Sequence, residues 1–62
     1  MTKKYRVYDN YNECIVLETD DIHELNMGIT IHYPLGDFIS IVNNSDKEFI
    51  IYFENYTIKM KK

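Results

Sequence analysis

Hydrophobic and polar residues alternate at three points along this chain, the period-2 signature of a strand with one buried face. Tyr5 and Val7 alternate with Lys4 and Arg6, and Ile29, Ile31 and Tyr33 alternate with Thr30 and His32. Near the C-terminus Tyr56, Ile58 and Met60 alternate with Thr57, Lys59 and Lys61. Three further runs are apolar with little alternation. Cys14 to Leu17 follows the turn residues Asp9-Asn10-Tyr11-Asn12, so it is predicted to pair back on the first strand as a hairpin. Phe38 to Val42 and Phe49 to Phe53 flank the polar stretch Asn43 to Glu48, which has the length of a hairpin connector. The second of these runs is apolar on both faces. That pattern predicts an interior strand with a second face, bearing Tyr52, that something must cover.

One segment breaks the strand pattern. Asp21 followed three residues later by Glu24 matches a helix cap with a carboxylate reaching back, and Gly28 fits a C-terminal stop. A short helix is predicted around residues 21–27, with Ile22, Leu25 and Met27 toward the sheet. The sum is a mainly β chain with five to six short antiparallel strands and that one helix. So short a sheet buries its apolar face by bending or by closing into a small SH3-like barrel; the alternative is a flat sheet with the helix packed on it. Closure would make the first and last strands neighbours.

Composition supports folding and strands. Of the 62 residues 45% are hydrophobic, too many for a disordered chain, and nine Ile with six Tyr suit a pleated surface. The length has room for one domain, 1–62, with a core worth no more than about 3 to 5 kcal/mol net. Cys14 is the one cysteine, so no internal disulfide supplements that core, and self-association or docking on a partner gains weight. No run approaches the roughly 20 apolar residues of a membrane span. Met1 to Arg6 is polar with no apolar signal segment behind it, so the expected location is cytoplasmic, with no membrane partner. The heavy use of Ile, Lys, Asn and Tyr fits an AT-rich genome, as in many low-GC bacteria and their phages.

The chemistry-bearing residues are few. His23 and His32 are the two imidazoles and Ser40 and Ser45 the two serines, in no nucleophile–base–acid motif, so no enzyme and no catalytic residue is expected. Cys14 opens an apolar strand without a basic neighbour and reads as a buried structural thiol. Asp20, His23 and Glu24 share a helical turn but are too few and too mixed to be a metal site, and Gly28 and Gly36 belong to no phosphate loop. No cofactor is expected.

Charge is the most informative feature left. Lys3, Lys4 and Arg6 open the chain and Lys59, Lys61 and Lys62 close it, whereas all ten acids lie from Asp9 to Glu54 with Lys47 the only basic residue among them. The leading expectation is a non-enzymatic protein-interaction module, a small bacterial or phage regulator or inhibitor of a host protein. It would bind through the acidic helix start, Glu18, Asp20, Asp21 and Glu24, and through exposed tyrosines among Tyr8, Tyr11, Tyr33 and Tyr52. One alternative is a nucleic-acid-binding barrel that uses Lys3, Lys4, Arg6, Lys59, Lys61 and Lys62 beside Tyr5, Tyr8 and Tyr56, against which the net charge of −3 argues. Another is a structural homo-oligomer subunit, a homodimer in the simplest case, joined by an edge strand or by the Tyr52 face.

Overall fold

A computed structural model describes residues 3–62 as one five-stranded antiparallel sheet with a single helical segment on one face. The strands are β1 (Tyr5–Asp9), β2 (Cys14–Thr19), β3 (Phe38–Ser45), β4 (Glu48–Phe53) and β5 (Tyr56–Lys61). Their order across the sheet is β2-β1-β5-β4-β3, so the sheet does not close into a barrel and both β2 and β3 are edges. β1 and β5 lie side by side at its centre, Val7 opposite Ile58, which makes the two ends of the chain neighbours. Phe49–Phe53 is interior as predicted, flanked by β5 and β3.

Helix α1 (Ile22–Met27) starts where the sequence places it. The Asp21 carboxylate accepts the His23 N–H at 2.9 Å, and Thr19 Oγ1 accepts the Asp21 N–H at 3.0 Å. It does not stop at Gly28. Gly28 is right-handed helical, and the chain runs on as a π-helical segment (Gly28–His32) until the Tyr33 N–H bonds to the Gly28 carbonyl at 2.8 Å. The strand expected over Ile29–Tyr33 is therefore helix as far as His32, with Tyr33 as its C-cap, and the strands among the described residues number five. Gly28 is used for close approach. A β-carbon there would stand 2.9 Å from Leu17 Cδ2, so the absent side chain lets the helix lie down on β2.

The core forms between this helix and the sheet. Val7, Leu25 and Ile58 are buried at its centre, ringed by half-buried Tyr5, Val16, Leu17, Ile29, Leu35, Ile51, Phe53, Tyr56 and Met60. Val16 is an extra residue in β2 opposite β1, and this bulge lets the consecutive Val16 and Leu17 both pack on the core. Of the predicted helix face only Leu25 is buried; Ile22 and Met27 are exposed, because the segment is anchored one turn later by Ile29. Cys14 is also exposed rather than buried, since it begins β2 at an edge of the sheet. The expected polar connector shrinks as well: β3 runs to Ser45 and β4 begins at Glu48.

The segment after the helix is stitched to the far turn. The Glu54 N–H bonds to the Asp37 carbonyl and the Asn55 N–H to the Leu35 carbonyl, each at 2.9 Å, and Asn55 Nδ2 bonds to the Pro34 carbonyl. No helix among the described residues is long and apolar enough to cross a membrane.

Candidate functional site

The helix covers one face of the sheet and leaves the other open. Pairing registers set out that open face row by row. Ile15, Tyr8, Thr57, Tyr52 and Ser40 form one row across all five strands, and Glu18, Arg6, Lys59, Ile50 and Val42 form the next. Tyr8 and Tyr52 flank Thr57 two strands apart, about 10 Å from backbone to backbone. Thr57 is buried between them and its hydroxyl donates to Asn10 Oδ1 at 2.7 Å. Arg6 reaches diagonally over β5 to Glu48, Nη2 to Oε2, at 3.1 Å, and both side chains are mostly shielded. Ile50, in the same row as Arg6, is buried although no described element packs over it.

A depression of about 150 Å³ opens on this face, lined by Arg6, Tyr8, Ile15 and Lys59. Its walls are mainly apolar and its rim is cationic. Arg6 is already paired with Glu48, while Lys59 has no ion pair among the described residues. An apolar side chain with a carboxylate beside it fits such a hollow, because the ring and the isoleucine contribute area and the ammonium contributes charge.

A second hollow, about 230 Å³ and polar, lies at one end of the sheet between Asp9, Tyr11, Asn12, Pro34, Asn55 and Tyr56. Its groups are largely satisfied internally. Asp9 Oδ1 accepts the backbone N–H groups of Tyr11 at 2.9 Å and Asn12 at 3.1 Å, and Oδ2 accepts Asn12 Nδ2 at 2.8 Å. These bonds, Asn12's first, hold the Asp9 carboxyl below its ordinary value against the opposing effect of burial. Burial, and then the charge of Asp9, raises the Tyr56 hydroxyl above its own. Because the folded Asp9 has the lower pKa, the unfolded chain takes up its proton first as pH falls below the ordinary carboxylate value near 3.8. The stability Asp9 contributes is present above that value and is lost as pH falls through the folded value. Urea midpoints measured from about pH 5 to pH 2 are expected to fall more steeply for the wild type than for Asp9→Asn, the two curves converging at the acid end. Parallel curves would show that Asp9 carries none of this dependence.

The acidic helix start and the tyrosines do not merge into one surface. Asp20 accepts the Lys4 backbone N–H at 2.8 Å and pairs with Lys3 at 3.5 Å, and these contacts, the Lys4 N–H first, keep its carboxyl below the ordinary range. Asp21 is occupied as the helix cap, while Glu18 lies on the open face and Glu24 in the first helical turn. Tyr11 is the most exposed tyrosine, 72%, at the tip of the first turn. Tyr33 is structural: its hydroxyl donates to the Val16 carbonyl at 3.2 Å and its ring stands edge-on to Tyr56. Tyr8 and Tyr52 are thus the pair that the fold brings to one surface.

The cations do gather around the paired chain ends. The Lys61 N–H bonds to the Lys4 carbonyl, and Arg6 lies opposite Lys59. Most are engaged within the molecule: Lys3 with Asp20, Arg6 with Glu48, and Lys62 with Asn43 Oδ1 at 2.6 Å and the Phe49 ring at 4.7 Å. Lys61 stands opposite Glu48, and Lys4 lies 5.6 Å from the centre of the Tyr5 ring. Among the described residues no three His, Cys, Asp or Glu side chains stand close enough to share a metal ion.

The open-face hollow was not legible in advance. Ile15 and Lys59 are far apart in sequence, and only the β2-β1-β5 pairing makes them neighbours of Tyr8. No protein-family model, curated protein or solved structure matches this chain. What the architecture itself defines is a small open antiparallel sheet, sealed by a helix on one face and bearing two tyrosines on the other.

Proposed function

We propose that this chain is a non-enzymatic interaction module that binds another protein on the open face of its sheet. Tyr8 and Tyr52 are the anchoring side chains, and Lys59 meets an acidic group of the partner. The observation that carries this reading is the Tyr8–Thr57–Tyr52 row on a face that no described element covers. Tyrosine offers large contact area with few rotatable bonds, which is why it recurs where binding energy concentrates. The adjacent hollow adds a place for one apolar side chain, and the Arg6–Glu48 pair beside it holds the rim in shape.

The test starts from partners captured from an extract of the source cell by the full chain, followed by titration of each purified partner. Tyr8→Ser combined with Tyr52→Ser is expected to weaken binding at least about tenfold, with the circular dichroism spectrum unchanged. If that variant binds normally while Asp20→Lys with Glu24→Lys abolishes binding, the acidic helix start is the surface instead.

A further inference from the structure

Strand β3 forms an edge of the sheet that is blunted only by two bulges, at Ile39 and Asn44. Its eight residues, Phe38–Ser45, contain no charge, no proline and no glycine. Phe38, Ile39, Ile41 and Val42 are between 42% and 62% exposed. Natural edges are ordinarily blunted by lysine, proline or a covering element, because their unpaired N–H and C=O groups template another strand. The opposite edge, β2, also has a bulge, at Val16, and adds what β3 lacks: the charge of Glu18 and the helix leaving from its end.

Charge at the two ends of β3 indicates what pairs with it. At its start stand Asp37 and, bonded to that residue's carbonyl, Glu54; neither is in an ion pair among the described residues. At its finish stand Lys47 and Lys62, joined by a backbone bond of 2.9 Å, with Asp46 in the turn between β3 and β4 and with Glu48, opposite Ser45, already paired with Arg6. An acidic start and a basic finish on either side of a neutral apolar strand complement themselves when the strand is turned end for end.

We propose that β3 pairs antiparallel with β3 of a second copy about a two-fold axis, joining two five-stranded sheets into one of ten strands. Geometry narrows the register. Opposed residues share a face of the sheet, Ile41 points to the helix side and Val42 to the open side, so the axis passes through a residue and not between these two. Bulges at Ile39 and Asn44 confine the regular stretch to Ser40–Asn43, which leaves Ile41 or Val42 on the axis. Centring on Ile41 numbers Asp37 against Ser45, whereas centring on Val42 numbers Asp37 of each copy against Lys47 of the other. The second register uses the charges, so Val42 lies opposite itself. Because the contact is isologous and the β2 edge is guarded, association closes at two copies instead of growing into a filament. This contact is separate from the sheet-face reading, since neither Tyr8 nor Tyr52 takes part.

Sedimentation equilibrium of the full chain up to about 1 mM tests it, with the expected mass twice the 7.5 kDa of one copy. Val42→Lys puts like charges on the axis and is expected to weaken the dimer at least about tenfold. Asp37→Lys alone is expected to weaken it too, and adding Lys47→Asp to restore it. Circular dichroism checks that each variant is folded. A folded wild type that stays monomeric throughout, or grows beyond two copies, overturns the proposal; so does a dimer indifferent to Val42→Lys or to Asp37→Lys alone.

Discussion

Leu25→Ala is expected to leave the chain largely unfolded at room temperature. Leu25 is the single buried side chain of α1, and with Val7 and Ile58 it makes up the centre of the core. Removing a buried leucine side chain beyond its β-carbon costs about 2 to 5 kcal/mol, because the transfer free energy is lost and a cavity is left behind. A chain of this length holds only about 3 to 5 kcal/mol in total. The helix has no reserve of its own, since six α-helical residues are far below the roughly 12 to 15 at which an isolated helix is even marginal. Undocking it would also bare Val7 and Ile58 to water. Ile22→Ala, on the same helix but 42% exposed, is expected to cost under about 1 kcal/mol. Thermal and urea denaturation followed by circular dichroism separates the two. Similar midpoints for both variants would mean that helix docking contributes little to stability.

Gly36→Val is the second large effect expected, and it acts through the backbone. Gly36 has φ of +79°, in the left-handed region where a β-carbon costs about 1 to 2 kcal/mol. The space is also taken. A β-carbon would stand 2.8 Å from both Cβ and Oε1 of Glu54 and 2.9 Å from Asn55 Nδ2. Oε1 and Nδ2 are side-chain ends that can swing aside, but Glu54 Cβ is held in place by the Glu54 backbone bond to Asp37, so it yields only by loosening the stitch between the two turns. Overpacking of this kind adds about 1 to 3 kcal/mol, for a combined loss of about 2 to 5 kcal/mol. The comparison variant is Gly28→Ala. Gly28 has an ordinary helical φ, and the nearest atom to its added methyl is the end of the Leu17 side chain, so a smaller loss is expected. Equal urea midpoints for the two variants would remove the claim that conformation and not space alone makes Gly36 costly to replace.

The candidate surface was only partly readable from the linear chain. That Tyr52 faces away from Ile51 and Phe53, on a second face of β4, follows from period 2 alone; the expectation that something covers that face does not hold among the described residues, where the helix lies on the other side. That Tyr8 joins Tyr52 while Tyr33 turns inward depends on which strands are neighbours. Tyr33 shared the alternation of Ile29 and Ile31, yet its hydroxyl is spent on the Val16 carbonyl. Four carboxylates within seven residues suggest a surface, but two of them serve the helix cap and the Lys4 backbone N–H just before β1.

Local chemistry by itself determined where β1, β2, β4 and β5 run, where the helix begins and that the chain ends carry the cations. These depend on alternation, turn residues and capping, which act over a few neighbouring positions. Tertiary structure alone decided the fate of residues 29–33. Their alternation admits a strand, but Leu25, Ile29 and Tyr33 also stand at the i, i+4, i+8 spacing of a helical face, and one segment cannot adopt both conformations. Docking on the sheet settles the tie, because the helix places Ile29 on the core, brings the Tyr33 hydroxyl to Val16 and uses Gly28 to approach Leu17. The same long-range packing left Cys14 exposed, left one sheet face open and made β3 a bare edge, none of which any local pattern specifies.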